Sequence, residues 1–245
     1  MKQNLIILFV LFVLNNRTIA QTYNNPECSY NLEIVDHTGF DLGYDKTIKQ
    51  SRWVSYCVKP EHQQGPKYKR PSGFRKDPDI NGFSITTKAY THTGYDRGHL
   101  APANLFSHNY TELKETFYLS NISPQVPNLN RGKWKQLETK IAEAVKKVDS
   151  IHINTGPIFS VPSSTLGASQ IIIPSAFYKT ILIYNKGKKY TMAFLLPNER
   201  IEAELSHYEV TIDEIEEITK INFYPLLDES YEVVNQKQVY SYLGL

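Results

Sequence analysis

The sequence predicts an α+β domain, and three patterns lead to that class. Segments rich in β-branched and aromatic residues predict strands, and they occupy 51–58, 83–90, 151–158 and the two arms of a hairpin, 180–184 and 190–196. Apolar residues recur at three- and four-residue steps through 130–148, which predicts a helix, and a second helix is expected over 213–219. No segment has the composition of a linker, so residues 21–245 are interpreted as one domain of mixed α+β type.

The first twenty residues predict a cleaved secretory signal. Lys2 precedes an apolar run from Leu5 to Leu14, and the small-residue site Thr18-Ile19-Ala20 follows it. That run is too short for a bilayer span, which needs roughly 20 residues. We therefore expect cleavage after Ala20 and secretion to the periplasm or to the outside of the cell, with no membrane span elsewhere. A buried N-terminal strand is the alternative interpretation.

Charge and cysteine content narrow the classes of function. Removal of residues 1–20 reduces the 27 basic residues to 25, equal to the 25 acidic residues. Attraction for a polyanion must then come from local patches. Cys28 and Cys57 are the two cysteines, and in an oxidising compartment they predict one disulfide, with two separate buried thiols as the alternative. Two cysteines without close spacing do not make a zinc site.

A basic loop covers residues 66–76, where prolines and a glycine break regular structure. Tyr68 and Phe74 stand between its cations, which are Lys67, Lys69, Arg70, Arg75 and Lys76. Basic residues interleaved with aromatic ones suit a phosphate backbone and its exposed bases. A solvated loop that binds nothing is the alternative.

The stretch Tyr95-Asp96-Arg97-Gly98-His99-Leu100 has the strongest chemical content. On a strand, side chains at i and i+2 share one face, so Arg97 and His99 can address one ligand together. Arg97 can bind a phosphate through two donors, and His99 can hold or release a proton near neutral pH. Gly98 allows a close approach of backbone or ligand. Alone, the stretch is also compatible with a turn and a surface ion pair.

The helix predicted over 130–148 begins with an asparagine on its apolar side. Trp134, Leu137 and Ile141 belong to the apolar stripe, Asn130 lies within it, and Glu138 lies at its edge. A polar amide on the buried side needs a partner. Asn130 is therefore either the N-cap of the helix or a metal ligand at its start.

Taken together, these residues resemble the DNA/RNA non-specific endonuclease family, the ββα-metal (His-Me finger) nucleases. The family's Asp-Arg-Gly-His marker stands at Asp96–His99. A second block, Leu-Ser-Asn-Ile-x-Pro-Gln followed by Asn-x-x-x-Trp-x-x-Leu-Glu, stands at Leu119–Gln125 and Asn130–Glu138. Looser similarity covers most of residues 35–225. The resemblance implies a ββα-metal fold with a central, mostly antiparallel sheet flanked by helices. It also implies a metal-dependent endonuclease that hydrolyses DNA, RNA or both to 5′-phosphate products.

The resemblance also implies a role for each residue of the site. His99 would be the general base, Asn130 the single protein ligand of Mg²⁺ or of another divalent cation such as Mn²⁺, and Arg97 a contact to the phosphate. Asn121 and Glu138 would orient the waters of the metal. Substrate contacts would come from the polar residues around them: Arg70, Arg75, Lys76, Asp96 and Arg131. Many relatives dimerise, and the sequence leaves monomer and homodimer open.

Elementary chemistry agrees with these roles. Neutral His99 can take a proton from water, and Mg²⁺ retains several waters, so that few protein ligands suffice. Activity is expected to fall below about pH 6, the range of a free imidazole. Two alternatives remain: a zinc hydrolase that uses His92, His99 and His108, and a secreted polyanion-binding module without catalysis.

Overall fold

A seven-stranded antiparallel sheet forms the centre of the computed structural model, which describes residues 25–227 and 236–245. Its strand order is β12-β11-β10-β7-β4-β3-β2. These strands are β2 (Glu33–Asp36), β3 (Asp41–Asp45), β4 (Gln50–Val58), β7 (Ser150–Ile158), β10 (Ala176–Asn185), β11 (Lys188–Pro197) and β12 (Glu209–Val210). The predicted signal peptide, residues 1–20, lies outside the described residues.

Three short strand pairs lie outside this sheet. β1 (Glu27–Cys28) pairs with β13 (Ile221–Asn222), and β8 (Thr165–Leu166) pairs with β9 (Ile171–Ile172). β5 (Asp96–His99) pairs antiparallel with β6 (Ile122–Gln125), so that the marker sequence is a strand.

Helical segments flank the sheet. The α-helices are α1 (Tyr110–Glu115), α2 (Pro127–Leu129), α3 (Lys135–Val145), α4 (Ile212–Thr219) and α5 (Gln236–Leu243). Single 3₁₀ turns occupy Pro60–Gln63, Thr87–Tyr90, Leu119–Asn121, Gly167–Ser169 and Leu205–Tyr208. Within the described ranges, each helix lacks the length or the apolarity that a membrane crossing requires.

The strand pair β5–β6 and the helix that follows it form a ββα unit. A wide π-type turn over Asn130–Trp134 joins α2 to α3, and Gly132 leaves helical geometry there with φ −102° and ψ −113°. The close pairing of the strands requires Gly98, because a Cβ at that position would lie 2.2 Å from Oε1 of the buried Gln125. This unit carries Arg97, His99, Asn130 and Glu138 on connected elements.

The helix packs on one face of the sheet and holds the unit there. Trp134, Leu137 and Ile141 are buried in the larger apolar cluster, as the predicted stripe requires. The indole of Trp134 packs on Phe177 of β10, with ring centroids 5.6 Å apart. Alternation along β10 places Lys179 on this same face, two residues after Phe177.

The predicted fold class is confirmed, and most of the predicted elements are present. The strands over 51–58 and 151–158 and the hairpin are observed, with small changes at their ends. The strand over 83–90 is wrong. Phe83, Ile85 and Tyr90 do enter the core, but no β-strand pairing is recorded for this segment, and Thr87–Tyr90 closes into a 3₁₀ turn.

The predicted disulfide is also wrong. Cys28 and Cys57 are both free thiols. Cys28 lies in β1 opposite Ile221, whereas Cys57 lies in β4 opposite His152. Cys57 is partly buried, and burial raises the pKa of its thiol to about 11. Cysteine count alone cannot supply the proximity that a disulfide needs.

Candidate active site

A cleft of about 370 Å³ brings the residues of the ββα unit together with the basic loop. Among the described residues that line it are Arg70, Arg97, His99, Asn130, Arg131, Lys135 and Glu138. Four of these side chains are cationic and one is a carboxylate, so the cleft suits an anion. The expectation that Arg97 and His99 address one ligand together is supported by their shared position on its wall.

His99 is half-buried between two aromatic rings. The centroid of its imidazole lies 5.4 Å from that of Phe74 and 5.1 Å from that of Phe117. Burial, with a smaller contribution from the nearby charge of Arg70, lowers the pKa of His99 to about 3. Its Nε2 atom is buried, and no described residue hydrogen-bonds to it. The ring is therefore neutral at physiological pH, as a general base must be.

The pH expectation derived from a free imidazole changes accordingly. A histidine with a depressed pKa stays neutral well below pH 6, so protonation of His99 does not explain a loss of activity there. The sequence shows the residue type, whereas the packing of Phe74 and Phe117 sets its pKa.

Arg97 is held by the wall of the cleft. Its Nη2 donates to the backbone oxygen of Thr87 at 2.7 Å, and its guanidinium lies 5.8 Å from the ring centre of Phe74. Nε of Arg97 is buried and has no hydrogen-bond partner among the described residues. This leaves a charged donor available for an anionic ligand.

Asp96 organises two neighbouring side chains. Its Oδ2 accepts from Nδ2 of Asn130 at 2.8 Å and from Nε of Arg131 at 2.8 Å, and its Oδ1 accepts from Nη2 of Arg131 at 2.6 Å. Burial alone would raise the pKa of Asp96, but these hydrogen bonds outweigh it and lower the pKa. In this structure the carboxylate of Asp96 binds Asn130 and Arg131, and its expected contact to substrate stays a prediction.

Asn130 and Glu138 supply the oxygen atoms that suit a divalent cation. Nδ2 of Asn130 is bound to Asp96, and within the described ranges no hydrogen bond reaches its Oδ1. Oε1 of Glu138 is buried and has no hydrogen-bond partner in the same part of the chain. An unpartnered buried oxygen beside an available amide oxygen fits a hard cation with its waters.

Burial raises the pKa of Glu138 to about 7, although the charges of Lys179 and Arg70 act in the opposite direction. Lys179 is fully buried on β10 and donates from Nζ to the Tyr56 hydroxyl at 3.4 Å. Sequence reasoning did not single out Lys179. A lone lysine inside the apolar strand 176–185 is the signal that could have found it.

Asn121 does not line the cleft with the other predicted residues. Its Oδ1 accepts from the backbone N–H of Ala101 at 2.8 Å, and its Nδ2 donates to the oxygens of Ala101 and Thr116. This differs from the expected place beside the waters of a metal, because the amide is fully used in holding the segment that follows His99.

The basic loop contributes unequally to the cleft. Arg70 and Phe74 line it, whereas Arg75 and Lys76 do not appear on its wall. The backbone of Arg75 forms a parallel bridge with Tyr118, which fixes the position of this end of the loop. Arg70 is therefore the better candidate of the two arginines for a substrate contact.

A second group of metal-ligand side chains lies outside the cleft. His37 Nε2 is 3.1 Å from Asp77 Oδ2, and His37 Nδ1 is 3.6 Å from Asp79 Oδ2. Asp77 also accepts from the Ser120 hydroxyl and from the Asp79 backbone. Because Asp77 is already satisfied by protein donors, the donor set at Asn130 and Glu138 fits a cation better.

The histidines of the alternative zinc site do not form such a group in the described ranges. His108 pairs with Glu112 at 3.3 Å and stacks on His62. His92 is exposed in a turn with φ 59°.

Comparison with known proteins agrees with this arrangement. The chain matches the profile of the DNA/RNA non-specific endonuclease family over residues 18–230. It is 31% identical over 204 residues to the mitochondrial nuclease EXOG of Xenopus laevis, covering 76% of this chain and 57% of that protein. It is 28% identical to human mitochondrial endonuclease G, covering 79% and 70%, and 29% identical to Nuclease C1 of Cunninghamella echinulata, covering 81% and 85%.

A solved structure gives the same result for the fold. The structure superposes on a chain from the crystal structure of the EndoG/EndoGI complex with a TM-score of 0.77 and 26% identity, covering 81% of this chain and 88% of that one. The chain spans 57% and 59% of the EXOG proteins from frog and mouse, so it corresponds to a little over half of their length.

The predicted secretion is contradicted by these comparisons. Several relatives are mitochondrial nucleases from frog, mouse and human, although Nuclease C1 is fungal. The prediction rested on the hydrophobicity and the length of a short apolar run behind one lysine. These two properties do not determine the compartment of a protein.

The ββα unit, the cleft that it builds and the profile match lead to one conclusion. This chain belongs to the DNA/RNA non-specific endonuclease family.

Proposed function

We propose that this chain is a metal-dependent endonuclease that hydrolyses phosphodiester bonds of DNA and RNA without sequence specificity and leaves 5′-phosphate products. One observation carries the proposal: a neutral imidazole, three guanidinium groups and an unpartnered carboxylate oxygen line one cleft. A phosphodiester needs a base for the attacking water, cations for its charge and help for its leaving oxygen. The cleft offers a group for each need.

His99 acts as the general base in this proposal. Its low pKa keeps it unprotonated, and its position beside Arg97 places it next to the phosphate that the arginine attracts. The aromatic rings on both sides of the imidazole restrict its orientation. A restricted base loses less entropy when it takes the proton of water.

Arg97 and Arg70 hold the phosphate. Arg97 projects from β5, and Arg70 reaches the same cleft from the basic loop. Two guanidinium groups from different segments can bind non-bridging oxygens and stabilise the charge that develops in the transition state. Arg131 extends the positive surface, and its contact with Asp96 sets its direction.

Asn130 would hold the divalent cation through Oδ1, and Glu138 would bind the waters of that cation. The oxygen-only donor set and the small number of protein ligands favour Mg²⁺, with Mn²⁺ as a substitute. When bound, the cation supplies charge neutralisation at the scissile phosphate and its leaving oxygen. Asp96 keeps the amide of Asn130 turned so that its oxygen is available.

The experiment uses supercoiled plasmid and single-stranded RNA, each with Mg²⁺ or with EDTA. Wild-type protein should degrade both with Mg²⁺ and neither with EDTA. His99→Ala should lose at least about 100-fold in rate and retain binding, whereas His207→Ala, at an exposed histidine, should match wild type. End-labelling of the fragments tests for 5′-phosphates. Binding without cleavage under all conditions would instead support a polyanion-binding module.

A further inference from the structure

Two tyrosine rings stand exposed beside each other near the cleft. Tyr68 of the basic loop is 54% exposed, and Tyr110, the first residue of α1, is 50% exposed. Their ring centroids are 5.7 Å apart, and the rings are tilted by 56°. Paired aromatic faces that point into water are typical of a binding surface.

The two tyrosines belong to segments that run from the cleft. Arg70 and Phe74 line the cleft from the loop, and Asn104 lines it from the segment that precedes α1. The backbone N–H of Tyr68 donates to the oxygen of Ser107 at 2.7 Å, which ties the two segments together. Two residues of chain span at most about 7 Å, so Tyr68 stands close to Arg70 at the rim of the cleft.

The tyrosine pair is held in place on both sides. Tyr110 is fixed at the start of α1, where the side chain of Asn109 accepts from the backbone N–H groups of Thr111 and Glu112. On the loop side, Lys67 donates from Nζ to the backbone oxygen of His62 at 2.8 Å. A surface that is ordered in advance loses little entropy when a ligand binds.

The charges around the pair fit a nucleic acid strand. Lys69 and Arg70 follow Tyr68 directly and are exposed. The charge of Arg70 also lowers the pKa values of both His99 and Glu138, so it acts on groups within the cleft. A polyanion that leaves the cleft on this side passes cations and two aromatic faces together.

We propose that Tyr68 and Tyr110 form a stacking site for an unpaired nucleobase of the substrate strand, next to the scissile phosphate. The inference rests on the proposed nuclease function and adds to it a preference for single-stranded substrates. A base in a duplex is already stacked on its neighbours, whereas a base in a single strand is free to stack on protein. The site therefore favours single-stranded DNA and RNA over duplexes.

The test measures binding in EDTA, where cleavage is not required. Fluorescence anisotropy gives the Kd of the whole chain for a labelled oligo-dT and for a labelled duplex hairpin that is closed by a non-nucleotide linker and so has no unpaired bases. The double variant Tyr68→Ala/Tyr110→Ala should bind oligo-dT about ten- to a hundredfold more weakly, and the hairpin within about twofold of wild type. Tyr68→Phe/Tyr110→Phe should bind like wild type, because it retains both rings.

A matched control removes apolar surface elsewhere. Ile34 and Ile218 are exposed by 52% and 50%, and neither lines the cleft. The variant Ile34→Ala/Ile218→Ala should leave both Kd values unchanged. Circular dichroism and size-exclusion chromatography of each variant report folding and assembly.

Three outcomes would overturn the stacking site: unchanged oligo-dT binding in the alanine variant, equal losses for oligo-dT and hairpin, or conversion of a wild-type dimer to monomer without a change in Kd. The last result would assign the tyrosines to contact with a second copy. If wild type binds oligo-dT through the tyrosines but cleaves nothing with Mg²⁺, the stacking site stands and the nuclease proposal fails.

Discussion

The ammonium group of Lys179 lies 4.5 Å from the centre of the Trp134 indole ring. Both side chains are buried, and Trp134 is one helical turn before Glu138. Burial lowers the pKa of Lys179 to about 8, and the charge of Glu138 opposes that shift. A buried cation is costly without a counter-charge. The charged state of Lys179 therefore depends on the charge of Glu138, and Glu138 lines the cleft.

Replacement of this lysine tests the dependence. Lys179→Met should lower the free energy of unfolding by roughly 1–3 kcal/mol, because it removes the buried positive charge that favours the carboxylate of Glu138. Glu138→Gln/Lys179→Met should lose less than the two single variants combined, by at least about 1 kcal/mol. Urea unfolding measures these differences. Lys188→Met, at an exposed position in the same hairpin, is the control, and additive losses would show that the two charges are independent.

The pH dependence of activity should follow Glu138 rather than His99. Glu138 has a pKa raised to about 7, so its carboxylate form is lost as pH falls through that value. His99, with its pKa lowered to about 3, stays neutral over the same range. At low Mg²⁺ the acid limb should lie near pH 7, and it should move to lower pH as Mg²⁺ rises, because the cation favours the carboxylate.

Rate measurements from about pH 8 to about pH 5 would check this assignment. The residual activity of Glu138→Gln should show no acid limb in that range. If the acid limb of the pH–rate profile stays at the same pH in Glu138→Gln and does not move with Mg²⁺ concentration, the pH dependence would instead be assigned to the imidazole of His99.

Asp96→Asn should weaken the metal site without removing a proposed ligand. The carboxylate of Asp96 accepts from both Asn130 and Arg131, and an amide cannot satisfy both in the same way. The Mg²⁺ concentration for half-maximal cleavage should rise about 10- to 100-fold. A Mg²⁺ titration of plasmid cleavage measures the change, with Asp213→Asn as the exposed control. An unchanged midpoint would mean that Asp96 does not orient Asn130.

Gly98→Ala should disturb the pairing of β5 with β6. The added Cβ would lie 2.2 Å from Oε1 and 2.8 Å from Cβ of Gln125, which is fully buried. We expect a loss of about 1–3 kcal/mol in stability, together with slower cleavage, because Arg97 and His99 flank the site of the change. In urea unfolding, Gln125→Ala in the same chain should recover part of the loss; if it recovers nothing, the strain lies elsewhere.

Patterns with a short period were predictable from the chain alone. Trp134, Leu137 and Ile141 recur at helical spacing, and the helix that contains them is observed. The strand predicted over 83–90 is not observed, because the apolar residues of this segment pack into the core without a partner strand. Asn121 belongs to the sequence motif, but the motif does not show which groups its amide binds. Those groups are backbone atoms of Ala101 and Thr116. Such partners are set by packing rather than by spacing.

Motif and periodicity are local properties of the chain, and they were enough to predict the fold class, the family resemblance and four residues that line the cleft: Arg97, His99, Asn130 and Glu138. Tertiary structure decided the environment of each group. Phe74, Phe117 and Arg70 lower the pKa of His99, Asp96 orients Asn130, and the charge of Lys179 on β10 acts on Glu138. These contacts join segments far apart in the sequence, and burial and charge act through space.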